Sequence, residues 1–541
     1  MNRRNFVRMG LAAPVLGAIP NASSESKTSD RQSESSGRRS GNKPNILMIM
    51  ADQWRADCLG AYGNRIVRTP HIDRIGKEGA TFTRAYTCTP SCTPARSALL
   101  TGLAPWHHGM LGMTLMATQY PVEQPRTLAE NGYYTTVVGK NHFYPIRNGH
   151  GYHQMVLDEH CSYWFDKHES DAALASSPEE RCDYEAWFWS QMPTGNPHAT
   201  GLGWNDYRGK AFVLPEELHA THWTGQTAVN FLRTYQRPEP FFLKVSFIRP
   251  HSPYDPPPRW MKQYANADIP SAFVGDWAGR YAPRSDDSNN IWHGKMAPDV
   301  IRNSRQAYYA NVSFVDEQVG LILEALEQRG LLDETLILFF SDHGDMLGDH
   351  NLWRKTYAYE PSARIPFLMR WPSGLLAAER GQKRNEPIEL RDVFPTLMDA
   401  GQVTNRQELT QKMDGASLLP LLRGNGAQWR QWIDLEHNVC YSASNHWNGF
   451  ANNQWKYIFH AQTGEEQLFD LQQDPQELTD LAKVAGHEAT LNQWRSRMVE
   501  HLSERGPEFV KNGKLVLRPK GMMTSPNFPG YSEALLRSSL R

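Results

Sequence analysis

Four short apolar runs, each ending abruptly in polar side chains, constrain this chain more than any other feature. Asn45–Met50 leads to Asp52-Gln53, and Tyr133–Val138 leads to Gly139-Lys140-Asn141-His142. Phe241–Phe247 leads to Arg249-Pro250-His251, and Thr335–Phe340 leads to Ser341-Asp342-His343-Gly344-Asp345. Runs of this length without polar alternation read as strands buried on both faces, the habit of parallel sheets covered by helices. In an open sheet of that kind, ligands gather beyond the carboxyl ends of the strands. The four runs therefore predict one sheet with one chemically active edge.

The elements between them fit. A helix is predicted over about Val312–Gln328, where apolar residues recur at helical spacing, and another starts at Thr69-Pro70, with proline in its first turn. A further helix begins near Arg391–Leu397 and closes the main domain. Near the C-terminus, Trp455–Phe459, a Thr463-Gly464 turn and Glu466–Leu471 give a hairpin signal, with a helix over about Gly486–Ser503 to pack on it. The fold class is thus α/β: a large, mostly parallel central sheet flanked by helices, with a smaller C-terminal domain built on an antiparallel sheet and a helix. The expected divisions are a leader and tether over 1–43, a catalytic domain over 44–425, and a C-terminal subdomain and tail over 426–541. Residues from about 150 to 230 hold Trp164, Trp187, Trp189, Trp204 and Trp223 among polar residues and read as long excursions around the sheet. Such loops often carry specificity, or they form packed surface covering. The tail from Pro507 either wraps back or frays.

A chain of 541 residues can bury a large core. Its 57 basic and 58 acidic side chains nearly cancel, so no net positive field points to nucleic acid. Arg3-Arg4 before Phe6 and a short apolar stretch to Pro20 resemble a twin-arginine leader, the address by which the bacterial twin-arginine machinery exports folded proteins. That stretch is too short for stable membrane insertion. A periplasmic or secreted location follows, with a polar tether over 21–43. Six cysteines in so long a chain do not form a disulfide framework, although Cys161 with Cys182 is a possible staple.

The run Cys92-Thr93-Pro94-Ala95-Arg96-Ser97-Ala98-Leu99-Leu100-Thr101-Gly102 places a cysteine where a helix begins, with a cation one turn on. A helix N-terminus favours an anion, so a nucleophile here can meet a tetrahedral oxyanion. A buried cap or a disulfide partner is the alternative use of such a cysteine. Asp52, Asp342 and His343 are candidate ligands for one divalent ion, with Gln53 possible. Oxygen donors suit calcium or magnesium, and the histidine leaves the metal open.

The same residues carry a family resemblance. Cys-x-Pro-x-Arg-x-x-x-Leu-Thr-Gly resembles the signature of the type I sulfatases, in the alkaline-phosphatase-like superfamily. Pro44–Arg55, Gly139–His142, Arg249–Pro256 and Phe340–Pro366 resemble further blocks of that family in the expected order. The resemblance spans about Pro44–Leu481. It implies that Cys92 is converted to formylglycine by a formylglycine-generating enzyme, and that the hydrated aldehyde, beside one divalent cation, calcium before magnesium, attacks sulfur. Asp52, Asp342 and His343 carry over as metal ligands, with the modified Cys92. Asp52-Gln53 and Asp342-His343 are similar to the choline-sulfatase and phosphonate-monoester-hydrolase branches, where many arylsulfatases have Asp-Asp and Asp-Asn. Gln53 either binds through its amide oxygen or orients its neighbours.

Arg96 is implied to steady position 92 and the sulfate, and Lys140 and His142 to contact both. His251 or Lys355 protonates the leaving alcohol, and His142 takes the proton that releases the enzyme-bound sulfate. A sulfated oligo- or polysaccharide is the expected substrate, with His437, His446 and Trp447 of the C-terminal part as candidates to reach it. The rivals are an aryl or choline sulfatase, a phosphodiesterase or phosphonate monoester hydrolase, and an inactive glycan-binding relative.

Overall fold

In the computed structural model, the described residues are 43–159, 182–426, 428–442 and 445–531. The leader, most of the tether, Trp164 and the Cys161 half of the suggested staple lie outside them. The predicted sheet forms, with eight strands in the order Gln382–Arg384, Ala80–Phe82, Phe367–Arg370, Thr335–Ser341, Asn45–Asp52, Phe241–Pro250, Tyr134–Gly139 and Gln154–Leu157. All run in one direction except Phe367–Arg370, which pairs antiparallel with both neighbours. The three longest strands lie side by side: Asn45–Asp52 is central, with Ile49 opposite Val245 on one side and Phe339 on the other. Every residue of these three strands is buried, as their unbroken apolar runs require.

Helices cover both faces. The longest spans Pro298–Gln328, starting fourteen positions before the predicted Val312. Its first half was hidden because its buried face includes Ser304, Arg305 and Asn311, which break the apolar period. Pro298 at the first turn is the signal that marks its true start. Ala220–Thr234 packs beside it, and with the strands they enclose a core of Ile49, Val245, Val315, Ile322 and Phe339. The opposite face holds a second core around Met48, Leu338, Phe367, Phe394 and Leu397.

The predicted C-terminal hairpin is part of a four-stranded antiparallel sheet, Ile433–His437, Trp447–Ala451, Trp455–His460 and Glu465–Asp470. The helix Glu488–Leu502 packs on it through Trp494, Met498 and Leu502. The tail wraps back: Leu111 N–H donates to the Met523 carbonyl, and Ser525 N–H donates to the Gly109 carbonyl. Among the described residues, no helix is long and apolar enough to cross a membrane.

Gly139 ends its strand at a φ of 94°, and an added Cβ would stand 2.2 Å from the Ser246 carbonyl oxygen. Neither the backbone conformation nor the space admits a side chain. Gly139→Ala is expected to cost about 1–3 kcal/mol of stability and to displace Lys140, read as a lower urea midpoint together with reduced turnover.

Candidate active site

Asp52, Asp342, His343 and Cys92 meet at the carboxyl edge of the sheet, as the strand ends predicted. One ligand atom from each lies within 4.8 Å of all the others. Cys92 is the first residue of the helix Cys92–Thr101 and is 1% exposed. Its Sγ lies 3.2 Å from His343 Nε2, 3.6 Å from Asp52 Oδ1 and 3.5 Å from Lys355 Nζ. Ser91 stands at the N-cap, but its hydroxyl does not cap the first turn and instead meets His437 Nε2 at 2.9 Å. The helix therefore presents its positive end beside the sulfur.

The residues fit a divalent cation. His343 Nδ1 donates to the Gly344 carbonyl at 2.9 Å, which fixes the ring and turns Nε2 inward. That nitrogen lies 3.4 Å from Asp52 Oδ1 and 3.7 Å from Asp342 Oδ1. A lone pair facing two carboxylates requires positive charge between them, either a proton or a metal. Burial would raise the Asp52 carboxyl, but the charges of Lys140, Arg96 and Lys355 outweigh it and hold the group well below the usual range. Two hard carboxylates and one imidazole are a set that calcium, magnesium and softer divalent ions can share.

Three cations surround this centre. Lys140 Nζ donates to Asp52 Oδ2 at 2.5 Å, and this partner outweighs burial in keeping the ammonium charged. Arg96 reaches the ligands rather than open space: Nε donates to Asp342 Oδ2 at 3.0 Å, and an Nη lies 3.4 Å from Asp52 Oδ2. Its remaining donor goes to the Lys140 carbonyl at 2.8 Å and to Ser246 Oγ. Lys355 Nζ lies 2.8 Å from Gln53 Oε1 and 2.7 Å from His251 Nε2. His251 Nδ1 donates to the Ser252 carbonyl, so Nε2 is the acceptor in that contact. Burial, then Lys355, hold His251 well below its ordinary range and keep it neutral. His142 is held low in the same way by burial, then Lys140 and Arg96, and its backbone N–H donates to Glu159 Oε1 at 2.9 Å.

The C-terminal candidates occupy inner positions. His437 is fully buried between Ser91 and Cys440, and burial pushes it down to about 3. Trp447 donates from Nε1 to the Thr356 carbonyl at 3.0 Å, and His446 is 1% exposed. His437 and Trp447 thus spend their ring nitrogens inside the fold, on Ser91, Cys440 and the Thr356 carbonyl, where they brace the strands behind the site.

Sequence reasoning assigned no role to Trp204, Tyr254 or Asp345. Trp204 stacks on the His251 ring at 4.3 Å and lies 5.2 Å from Lys140 Nζ, roofing both groups. It sits in the long excursion, where periodicity carries no signal. Asp345 and Tyr254 lie inside the runs that were singled out, and their position two or three residues past His343 and His251 was the available clue.

Two carboxylates, an imidazole and a helix-borne sulfur arranged to fit a divalent ion, with cations around them, suit a hydrolase for esters of tetrahedral oxyanions. Residues 44–403 match the sulfatase family, and residues 348–504 match the C-terminal region of N-sulphoglucosamine sulphohydrolase. The chain belongs to the sulfatase family and is a sulfate ester hydrolase. It is 35% identical to an arylsulfatase of Clostridium perfringens over 88% of this chain and 97% of the relative. It is 30% identical to a choline-sulfatase of Rhizobium meliloti over 85% of this chain and 87% of that one. A phosphonate monoester hydrolase of Agrobacterium radiobacter shares the fold, with a TM-score of 0.68 and 23% identity over 86% of this chain and 96% of its own.

Proposed function

We propose that this protein removes sulfate from a sulfated oligo- or polysaccharide, using formylglycine made from Cys92 and one divalent ion, calcium in preference to magnesium. The observation that carries the reading is the convergence of Asp52, His343 and Lys355 on the sulfur of a residue at a helix N-terminus. A thiol here would form a sulfur–sulfur ester with no internal route back, whereas the aldehyde hydrate supplies a hydroxyl to attack and a second to expel the product. The ion, held by Asp52, Asp342, His343 and position 92, supplies charge neutralisation and a template for the sulfate.

This chain's own residues do the rest. Arg96 locks the two ligating carboxylates in orientation, and Lys140 adds positive charge beside Asp52. Lys355 is the proton donor to the leaving alcohol, with His251 as the neutral partner that exchanges its proton. His142, held neutral, has the protonation state required of the base that acts in sulfate release. Trp204 excludes water from His251 and Lys140.

The match to an N-sulphoglucosamine sulphohydrolase C-terminal region supports a sugar as the group that carries the sulfate, and the leader supports export to the periplasm or beyond, where such glycans are met. The division at residue 425 is part of the same proposal, with the C-terminal sheet backing the site through His437 and Ser91. A phosphate diester or phosphonate ester is the second reading, favoured by the Asp342-His343 pair and the phosphonate monoester hydrolase fold. The test has two parts. Mass measurement of the peptide holding position 92 is expected to show the aldehyde. Parallel assays of defined sulfated glycans, 4-nitrophenyl sulfate, choline sulfate and bis-nitrophenyl phosphate are expected to give the highest kcat/KM on a glycan. Rapid release from a small ester with none from any glycan overturns the sugar assignment.

A further inference from the structure

We propose that Asp345 is a positioning residue: it clamps the Gln53 amide so that its carbonyl oxygen, and not its NH2, faces Lys355, and thereby sets the Lys355 ammonium between His251 and position 92. The inference rests on the reading above that Lys355 delivers the leaving-group proton.

The donor and acceptor inventory leaves one arrangement. An ionised carboxylate only accepts and an ammonium only donates. Gln53 lies between the two, its amide nitrogen donating to Asp345 Oδ2 and its Oε1 2.8 Å from Lys355 Nζ. Rotating the amide would set oxygen against carboxylate and NH2 against ammonium, two repulsive contacts in a buried site. Asp345 cannot turn away. Its Oδ2 also accepts from Tyr254 Oη at 2.6 Å, its Oδ1 accepts from the Leu347 N–H at 3.0 Å, and it is fully buried. The Gln53 backbone is fixed as well. Its N–H donates to Asp342 Oδ1 at 3.1 Å, its carbonyl accepts from Tyr308 Oη at 2.6 Å, and its φ is 66°. With both ends held, the amide oxygen is committed to Lys355, which explains why an amide serves where a second carboxylate would confront Asp345.

The test uses the full chain loaded with calcium and a series of aryl sulfates from 4-nitrophenyl to unsubstituted phenyl. Nitrophenolate departs without a proton, whereas phenolate gains from one. Asp345→Asn removes the obligatory acceptor and lets the Gln53 amide turn. It is expected to lower kcat on phenyl sulfate by about tenfold to a hundredfold and on 4-nitrophenyl sulfate by under about threefold. Calcium stoichiometry and Kd, measured by calorimetry, stay unchanged. Gln53→Glu alone opposes two carboxylates and is expected to be worse. The pair Gln53→Glu with Asp345→Asn restores the pattern, because the new amide donates to the new carboxylate and the carboxylate accepts from Lys355. Recovery of most of the lost kcat on phenyl sulfate is the expected result. Tyr254→Phe, which removes one donor to Asp345, is expected to show the same leaving-group bias in smaller measure, and serves if Asp345→Asn fails to fold. Equal slowing of all esters by both variants, absence of rescue, or loss of calcium overturns the clamp. Lys355→Ala separates the two layers. A leaving-group bias in Lys355→Ala but none in Asp345→Asn overturns the clamp alone, while no bias in Lys355→Ala overturns the proton-donor reading and the clamp with it.

Discussion

Cys92→Ala is expected to abolish turnover of every sulfate ester, with kcat falling by about a millionfold, the scale seen when a nucleophile is removed from a preorganised site. The residual rate over water measures what the cations and the metal centre do unaided. The side chain is small and fully enclosed, so its truncation leaves the fold intact, and the thermal unfolding temperature is expected to change little. Single-turnover sulfate release and a calorimetric scan on the same preparation check both halves. A variant that retains a tenth of the wild-type rate would mean that the attacking atom lies elsewhere.

Asp52→Ala is expected to strike stability as hard as activity. Its carboxylate is the buried partner of Lys140 at 2.5 Å and lies 3.4 Å from an Nη of Arg96. Removing it leaves two cations in a dry environment with less compensation, a loss of about 3–5 kcal/mol. Wild-type protein is expected to gain unfolding temperature on calcium addition, because a ligand that binds only the folded state stabilises it. Asp52→Ala is expected to lose that gain. Scans with and without calcium read the result, and a variant whose unfolding temperature still climbs with calcium would remove Asp52 from the ligand set.

The parts of the fold that were legible in sequence were those where burial alone decides. The strands Asn45–Asp52, Phe241–Pro250 and Thr335–Ser341 are buried on both faces, so their composition announces them. Because ligands of such a sheet sit at strand ends, Asp52, Asp342 and His343 could be picked out as candidates, and they do lie together. The remaining strands of the C-terminal sheet were not legible. Ile433–His437 does alternate, Ile433 and Leu435 against Asp434 and Glu436, but over five residues only and with no turn signal joining it to a partner, and Trp447–Ala451 is interrupted by Gly449. Their polar groups are satisfied through tertiary contacts such as the Arg505 pair with Glu436, which no local pattern encodes. Side-chain roles were legible only as far as residue type allows. Arg96 was visible as a cation one turn from Cys92, but its commitment to Asp342 and Asp52 depends on strands that meet it from 246 and 44 residues away. Trp204 had no signal, since a roof is made by tertiary placement and not by spacing.

The returning tail sets an order on assembly. Ser525 Oγ donates to the Trp106 carbonyl, and the pairing of Leu111 with Met523 completes the loop that follows the helix Cys92–Thr101, across more than four hundred residues of chain. Contacts of such separation carry the largest closure entropy and form only after the segments between them have organised. Asp414 pins the start of this loop at Ala104 and His107, and its far part, at Trp106, Gly109 and Leu111, depends on a latch that closes late. Hydrogen exchange at Leu111 and Ser525 reports whether the molecule has finished folding, and shortening the chain before Met523 frees the loop at Trp106, Gly109 and Leu111 while the end of the helix stays held at Gly102 by Asp414 and Gly415.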